Sequence, residues 1–147
     1  MQTTTTPIDR NGLEVLPRDE CLRLLERSTL GRVGVTVGAL PVILPVNYRL
    51  VGDHIVFRTA TGTKLDAATH NAVVAFEVDE FDPFFHTGWS VLVTGLASEV
   101  TDPGALAELR RAHVPRWAPS GDERVVEVST EMVSGRRIKA GRRPDGA

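Results

Sequence analysis

The fold is decided by residues 41–64, which read PVILPVNYRLVGDHIVFRTATGTK. Two runs of apolar and β-branched residues flank the segment Val51–His54, and this pattern predicts two strands joined by a tight hairpin turn. The second strand ends in a loop with two cations and three hydroxyl groups, at Arg58, Thr59, Thr61, Thr63 and Lys64. An ordinary strand end does not need so many polar groups, so this loop is the first candidate for a binding site.

The loop at residues 58–64 has the chemistry of a phosphate-binding site. Charged donors such as Arg and Lys make the strongest hydrogen bonds to phosphate oxygens, and hydroxyl groups add further donors. A short helix is predicted from Thr63 to about His70, and its first turn would add free N–H groups and the positive end of the helix dipole. The residues alone still favour a solvated turn between a strand and a helix, because most charged side chains lie in solvent.

Length and composition describe one ordinary globular domain. The chain has 147 residues, of which 41% are hydrophobic, and a net charge of −2. This balance argues against nucleic acid as the main partner, because nucleic-acid-binding proteins carry a basic surface. Cys21 is the only cysteine, so neither a disulfide framework nor a cysteine-based metal site is expected. No signal peptide and no apolar run of membrane-spanning length is present, so the cytoplasm is the expected location.

The pattern of short strands and turns predicts a mainly β domain over residues 12–139, with disordered tails at residues 1–11 and 140–147. The predicted helices span residues 17–28, 63–70 and 103–113. The predicted strands span residues 31–37, 41–48, 54–59, 73–79, 88–100, 124–128 and 133–139. Strands of this length and spacing favour a closed or partly closed antiparallel barrel.

Two of the strands contain nearly continuous apolar runs, at residues 73–76 and 91–93. Strands of this kind are covered on both faces, by the barrel interior on one side and by a helix or another subunit on the other. The three short helices leave little surface to provide that cover. We therefore expect a homodimer that buries the outer face of residues 73–79 and 88–100.

The order of these elements resembles the flavin-binding split β-barrel proteins related to pyridoxamine 5′-phosphate oxidase, including actinobacterial relatives that use FMN or the deazaflavin F420. The resemblance covers residues 16–138. It rests on the motifs LGRVGV (30–35), PVNY (45–48), FRTA (57–60) with Gly62 and Lys64, AFEVD (75–79), TGWSVLVTG (87–95) and VSGRRI (133–138). It implies a six- to seven-stranded antiparallel split β-barrel with short flanking helices.

The resemblance also implies where a flavin such as FMN binds. The phosphate tail is expected at the end of the third strand and the helix start, at Arg58, Thr59, Ala60, Thr63 and Lys64. The ring system is expected along the second strand, beside the backbone of Pro45, Val46 and Asn47. Pro45 has no N–H group and therefore suits an unpaired strand edge. The Asn47 side chain either serves the ligand or makes a turn hydrogen bond.

Three further residues are candidates whose roles stay open. Trp89 and Ser90 begin the fifth strand near the expected dimer interface, where the indole either covers the flavin or fills the interface. Trp117 lies in a loop that either reaches the partner's cofactor or covers hydrophobic core. Residues 81–85 contain three phenylalanines, which either border a pocket for a planar, largely apolar substrate or pack under the barrel.

The function implied is a flavin-dependent oxidoreductase that binds FMN at a homodimer interface. The flavin would carry out the redox chemistry, and the sequence shows no catalytic triad or paired carboxylates. One alternative is an F420-dependent reductase, although the long acidic tail of F420 calls for a larger basic groove than Arg58 and Lys64 provide. The other alternative is a flavin- or haem-binding module without enzymatic activity.

Overall fold

The computed structural model describes residues 6–115 and 122–139. The strands are β1 (Glu14–Leu16), β2 (Leu30–Val37), β3 (Leu40–Asn47), β4 (Arg49–Val51), β5 (His54–Ala60), β6 (Ala72–Asp82), β7 (Thr87–Glu99), β8 (Glu123–Ser129) and β9 (Met132–Ile138). The helices are α1 (Arg18–Arg27), α2 (Lys64–Ala68) and α3 (Pro103–Arg111). Every helix and strand expected from the sequence is present, and β1 and β4 are additional. None of these three helices is long and apolar enough to cross a membrane.

Seven strands form one antiparallel sheet in the order β3-β2-β6-β7-β8-β5-β4, while β9 pairs with β7 and β1 pairs with β9. The two ends of this order, β3 and β4, follow each other in the chain and are separated only by Tyr48. One residue cannot connect the opposite edges of a flat sheet, so the sheet curls until its two ends meet. Since β3 pairs only with β2, the barrel stays split along β3. The expected mainly β, antiparallel split-barrel architecture is confirmed.

Tyr48 anchors the corner between β3 and β4. Its side chain is fully buried, and its hydroxyl donates a hydrogen bond of 2.6 Å to the carbonyl of Leu25 at the end of α1. Its backbone N–H donates to the carbonyl of Thr29 at 3.0 Å, and its ring packs edge-to-face on Phe76. Burial raises the pKa of Tyr48 to about 12. The phenol therefore stays neutral and fixes the corner against α1.

The expected hairpin exists, but its first strand is β4 rather than the long apolar run at residues 41–48. The turn residues Gly52 and Asp53 join β4 to β5, and Gly52 has a φ of +58°, as the first position of such turns requires. The long run forms β3, which pairs along its length with β2. Tyr48 does not interrupt the apolar pattern, so the change of direction there is not visible in the sequence.

The core fills the inside of the barrel, and α1 covers one end of it. Cys21, Leu24 and Leu25 lie on one face of α1 and are buried in this core, as their helical spacing predicts. Pro17 precedes the helix, and the acidic residues of its first turn favour the helix dipole. A second, smaller cluster lies on the other side of β5 and β8, under α3, and comprises Val56, Val100, Leu109, Val114 and Val125.

The N-terminal segment folds back on the barrel from Thr6 onwards. Asp9 accepts hydrogen bonds from the N–H groups of Asn11 and Leu13, and its other oxygen lies 3.0 Å from Nε of Arg136 in β9. Residues 6–11 of the tail expected to be disordered are thus tied to the sheet. The rest of that tail and residues 140–147 lie outside the described residues.

The outer face of the sheet is apolar and uncovered by any described helix. In register across the strands lie Ile43 of β3, Gly34 of β2, Ala75 of β6, Thr94 of β7 and Met132 of β9. Val73 and Leu96 form a neighbouring pair on the same face. Ile43 is 72% exposed, Val73 is 69% exposed and Met132 is 68% exposed. Large contiguous apolar patches of this kind mark interaction sites.

Candidate functional site

The free edge of β3 carries the most distinctive feature of the candidate site. Opposed residues of an antiparallel pair alternate between those that exchange backbone hydrogen bonds and those that do not. Pro45 lies opposite Arg32 and has no N–H, so this pair belongs to the second kind. Tyr48 and Thr29 lie three positions further along from this pair, so the alternation requires them to be hydrogen-bonded, and the N–H of Tyr48 does donate to the carbonyl of Thr29. The backbone groups of Ile43, Pro45 and Asn47 therefore face away from β2, towards the split.

A cavity of about 240 Å³ lies in the split, next to this edge. Its walls come from β3, from the end of β5 and from the beginning of α2: Leu44, Pro45, Arg58, Thr59, Ala60, Thr63 and Leu65. The structure thus brings together five of the expected phosphate and ring contacts around one opening. The walls are mostly apolar, with polar groups at the loop, which is the usual make-up of a ligand pocket.

A second cavity of about 370 Å³ shares Pro45 with the first. It is lined by Arg27, Ser28, Thr29, Leu30, Gly31, Arg32, Pro45, Asp79 and Glu80. The first cavity alone is smaller than the roughly 300–1,000 Å³ of most ligand sites, whereas the two together fall within that range. A ligand as long as a nucleotide would therefore run past Pro45 from one cavity into the other.

The loop before α2 is organised by the buried carboxylate of Asp66. This carboxylate accepts a hydrogen bond of 3.0 Å from the Thr59 hydroxyl and one of 2.9 Å from the N–H of Gly62. Thr63 caps α2 by accepting from the N–H of Asp66, while its hydroxyl donates to the carbonyl of Ala60. These contacts occupy donors that the sequence assigned to a bound anion. Since α2 has only five residues and Thr63 already caps it, the end of this helix does not by itself make an anion site.

The two cations of the loop are placed differently. Lys64 is exposed and forms no ion pair with any residue in the described ranges. Arg58 is largely buried: its Nε donates to the carbonyl of Val114 at 3.2 Å, and its Nη1 lies 3.9 Å from a carboxylate oxygen of Glu123. Arg58 therefore has partners of its own, and Lys64 is the cation that faces solvent at the mouth of the loop.

The backbone groups of Pro45 and Asn47 are open to hydrogen bonds from a ligand in the split, but those of Val46 are not. The Val46 side chain is fully buried, and its backbone faces Gly31 of β2 in the hydrogen-bonded register. Val46 is a core residue. The turn hydrogen bond considered for the Asn47 side chain is absent from the described part of the chain.

Trp89 and Ser90 lie away from the loop. Trp89 packs against the main core and lines a different cavity, of about 410 Å³, with Arg137 and Lys139 among its neighbours. Ser90 is exposed on the outer face, opposite Asp79. Within one subunit the structure therefore brings neither residue to the split, and Trp117 lies outside the described residues.

Of the three phenylalanines at residues 81–85, Phe81 lies near the end of β6, while Phe84 and Phe85 lie in the turn of the β6–β7 hairpin. This hairpin is longer than the sequence pattern predicts. Phe84 is 81% exposed, and Phe84 and Phe85 contact each other edge-to-face at 4.9 Å. Asp82 holds the turn by accepting hydrogen bonds from the N–H groups of both residues. The alternative in which these rings pack under the barrel is therefore wrong.

A pair of carboxylates beside the second cavity was missed in the sequence. Glu77 and Asp79 lie two residues apart on the outer face of β6, and both contact Arg32, at 3.5 Å and 3.2 Å. Burial, together with the neighbouring Asp79, raises the pKa of Glu77 to about 7. The i, i+2 spacing of two carboxylates on one strand face is the signal that could have revealed this pair. The position of Arg32, opposite Glu77 on one side and Pro45 on the other, depends on the strand pairing.

The raised pKa of Glu77 predicts a pH-dependent stability. The folded chain holds the proton of Glu77 more tightly than the unfolded chain does. The contribution of the protonated side chain to the free energy of unfolding is therefore complete below the ordinary pKa of 4.5 and is lost as the pH rises through about 7. We expect the melting temperature of Glu77→Gln, relative to that of the native chain, to be higher at pH 8 than at pH 5.5. Thermal unfolding at both values measures this, with Glu131→Gln at an exposed position as the control. Parallel pH dependences for the native chain and Glu77→Gln would contradict it.

The comparisons with known proteins agree with this architecture. A family model described as pyridoxamine 5′-phosphate oxidase matches residues 17–137. The chain belongs to this family. A relative within it, an uncharacterised protein of Mycobacterium tuberculosis, is 43% identical over 130 residues, which make up 85% of each of the two chains.

Solved structures of flavin-binding proteins have a similar fold. An FAD binding protein from Mycobacterium smegmatis is 38% identical, with a TM-score of 0.76 over 85% of this chain and 99% of that one. An FAD and haem binding protein from the same organism has a TM-score of 0.70 over 88% of this chain and 75% of that one. At 18% identity, the second likeness concerns the fold alone.

Proposed function

We propose that this chain is a homodimeric, flavin-dependent oxidoreductase that binds its flavin nucleotide in the split between β3 and the loop at residues 58–65. The observation that carries the proposal is the unpaired edge of β3, which faces a polar loop across an apolar cavity. Family membership and the 38% identical FAD binding relative support the same ligand class. A bound flavin supplies hydride or electron transfer, while the protein binds and orients it.

The edge of β3 suits the pyrimidine edge of a flavin ring. That edge of the ring presents a carbonyl, an N–H and a second carbonyl. Asn47 offers a backbone N–H and a carbonyl on the open side of β3, and Pro45 offers a carbonyl there without a competing N–H. Backbone groups held in a strand are already ordered, so pairing with them costs little conformational entropy. The edge thus acts as a fixed template for the ring.

The phosphate end is proposed to lie at the mouth of the loop. Lys64 is the exposed cation there, and Thr61 and Thr63 are exposed beside it. A charged hydrogen bond between an ammonium and a phosphate is stronger than a neutral one. The ring-to-phosphate direction therefore runs from β3 towards α2.

Lys64→Ala is expected to weaken FMN binding about 10- to 150-fold, because a charge-assisted hydrogen bond contributes about 1.5–3 kcal/mol. Riboflavin, which has the same ring but no phosphate, should bind the variant and the native chain equally. Fluorescence titration with both ligands measures the two affinities.

The control for that titration is Arg111→Ala, which removes one positive charge from an exposed position of α3. Its affinities should match those of the native chain. If Lys64→Ala lowers the affinities for riboflavin and FMN equally, the phosphate does not lie at Lys64 and this orientation of the flavin is wrong.

The identity of the nucleotide follows from the number of available cations. F420 has a long acidic tail, and the loop offers few uncommitted cations because Arg58 already pairs with Glu123. This favours FMN or FAD over F420, and the FAD binding relative makes FAD a candidate beside FMN. The mass of the cofactor released from the denatured protein distinguishes the three.

The dimer is proposed to form through the outer face of β2, β3, β6, β7 and β9. This face exposes the apolar side chains described above, and the second cavity opens beside it at Arg32 and Asp79. A twofold contact would bury the face of each subunit against the other and enclose the cavity. The hairpin tip at Phe84 is proposed to border the entrance for a planar, largely apolar substrate.

A flavin- or haem-binding module without turnover is the second candidate. Its haem form is disfavoured because no histidine, cysteine or methionine lines either of the two described cavities at Pro45. Reduction of the bound flavin by NADH or NADPH, followed by reoxidation with a quinone or nitroaromatic acceptor, would identify an enzyme. Flavin binding without any such turnover would favour the module.

A further inference from the structure

The strand next to β5 contributes a cation that the sequence motifs do not include. Arg124 of β8 lies opposite Thr59 of β5, and opposed residues of an antiparallel pair direct their side chains to the same face of the sheet. Arg124 therefore extends on the side of the loop. Its Nη1 lies 3.6 Å from Oδ2 of Asp66, and its side chain is 39% exposed.

Asp66 links this arginine to the loop. The same oxygen that approaches Arg124 accepts the hydrogen bond from the N–H of Gly62. A single carboxylate thus bridges the guanidinium of Arg124 and the backbone of the loop. At 3.6 Å the contact is an ion pair rather than a hydrogen bond, and Arg124 donates to no residue in the ranges 6–115 and 122–139. Its planar set of N–H donors remains available for an anion at the loop.

Arg58 contributes to the wall of the first cavity, but its side chain lies on the opposite face of the sheet from Thr59. It lies opposite Val125, and both Val125 and the strand neighbour Val56 belong to the cluster under α3. Only 13% of the Arg58 side chain is exposed, and its guanidinium contacts the carbonyl of Val114 and the carboxylate of Glu123. Turning it towards a ligand would break both the hydrogen bond to Val114 and the ion pair with Glu123.

We propose that the second cation of the phosphate-binding site is Arg124, held in place by Asp66, and that Arg58 has a structural role between β5, β8 and the segment after α3. The inference rests on the proposed flavin function. It assigns the two phosphate-binding cations to Lys64, at the mouth of the loop, and to Arg124, on the strand β8 that pairs with β5.

The test is the ratio of FMN affinity to riboflavin affinity in Arg124→Ala, Arg124→Gln and Arg58→Ala, measured by fluorescence titration of the full chain. The two Arg124 variants should lower this ratio at least about tenfold, since one charged contact to phosphate is lost. Arg124→Gln keeps part of the side chain that packs along the sheet, which covers the case in which the alanine variant folds poorly. Arg58→Ala should lower the melting temperature and leave the ratio near its native value.

Each other result has a definite meaning. An unchanged ratio in Arg124→Gln, with a native chain that prefers FMN to riboflavin, would overturn the role of Arg124 while leaving the flavin site intact. A ratio lowered by Arg58→Ala and not by the Arg124 variants would return the role to Arg58. A native chain that binds neither ligand would overturn both this inference and the proposed function.

Discussion

Leu96→Arg is expected to convert the proposed dimer into a folded monomer. Leu96 lies opposite Val73 on the apolar outer face, where the two side chains are 50% and 69% exposed in the single chain. A twofold contact would place the new charge in the interface twice and bury it without a partner, at several kcal/mol for each copy. The interface lost should exceed about 2,000 Å², as in obligate dimers. Light scattering measures the change in mass.

The matched control is Ile8→Arg. Ile8 is 67% exposed and lies in the N-terminal segment, opposite Glu14 and away from the outer face. It should stay dimeric. Circular dichroism should show both variants folded, because neither side chain belongs to the core. A Leu96→Arg protein with an undiminished dimer would place the interface elsewhere.

Gly95→Val is expected to destabilise the fold more than any surface change. At Gly95, strand β7 leaves β9 and begins to pair with β8, and a Cβ at this position would collide with the backbone carbonyl of Ser129. The obstacle is main chain and cannot rotate away, so the strands must separate. Overpacking of this kind costs about 3 kcal/mol or more, which lowers the melting temperature by roughly 10 °C in a domain of this size.

Gly34→Ala is the control, because it also adds a side chain to a strand glycine but at a position where no backbone atom is in the way. Its nearest neighbour would be the Cβ of Ala75 at 3.5 Å, an ordinary contact distance. Its melting temperature should stay within a few degrees of the native value. If Gly95→Val and Gly34→Ala have the same melting temperature, the corner between β7 and β8 can accommodate a larger side chain and the account of barrel closure is wrong.

Much of the fold is encoded in local patterns that a sequence displays. Helix α1 could be predicted because Pro17, the acidic first turn and the spacing of Cys21, Leu24 and Leu25 all agree. The strands could be predicted from β-branched runs between turn residues. The pairing of β3 could not, because the break at Tyr48 depends on a buried phenol that bonds to Leu25, and that contact spans 23 residues of sequence.

The candidate site was predictable in outline and not in detail. The motif pointed to the right loop, but Arg58 and Lys64 look alike in sequence, and only the strand faces separate the buried cation from the exposed one. Asp66 had a local signal, because Thr63-x-x-Asp66 has the spacing of a helix cap. Arg124 had none, since its place beside Thr59 depends on the pairing of β5 with β8.

The most direct test of the account is a fluorescence titration of the purified native protein with FMN, FAD and F420. We predict saturable binding of FMN or FAD, at one molecule per subunit, with a lower affinity for F420. If neither FMN nor FAD binds at saturating concentration, the split at β3 is not a flavin site and the proposed function is contradicted.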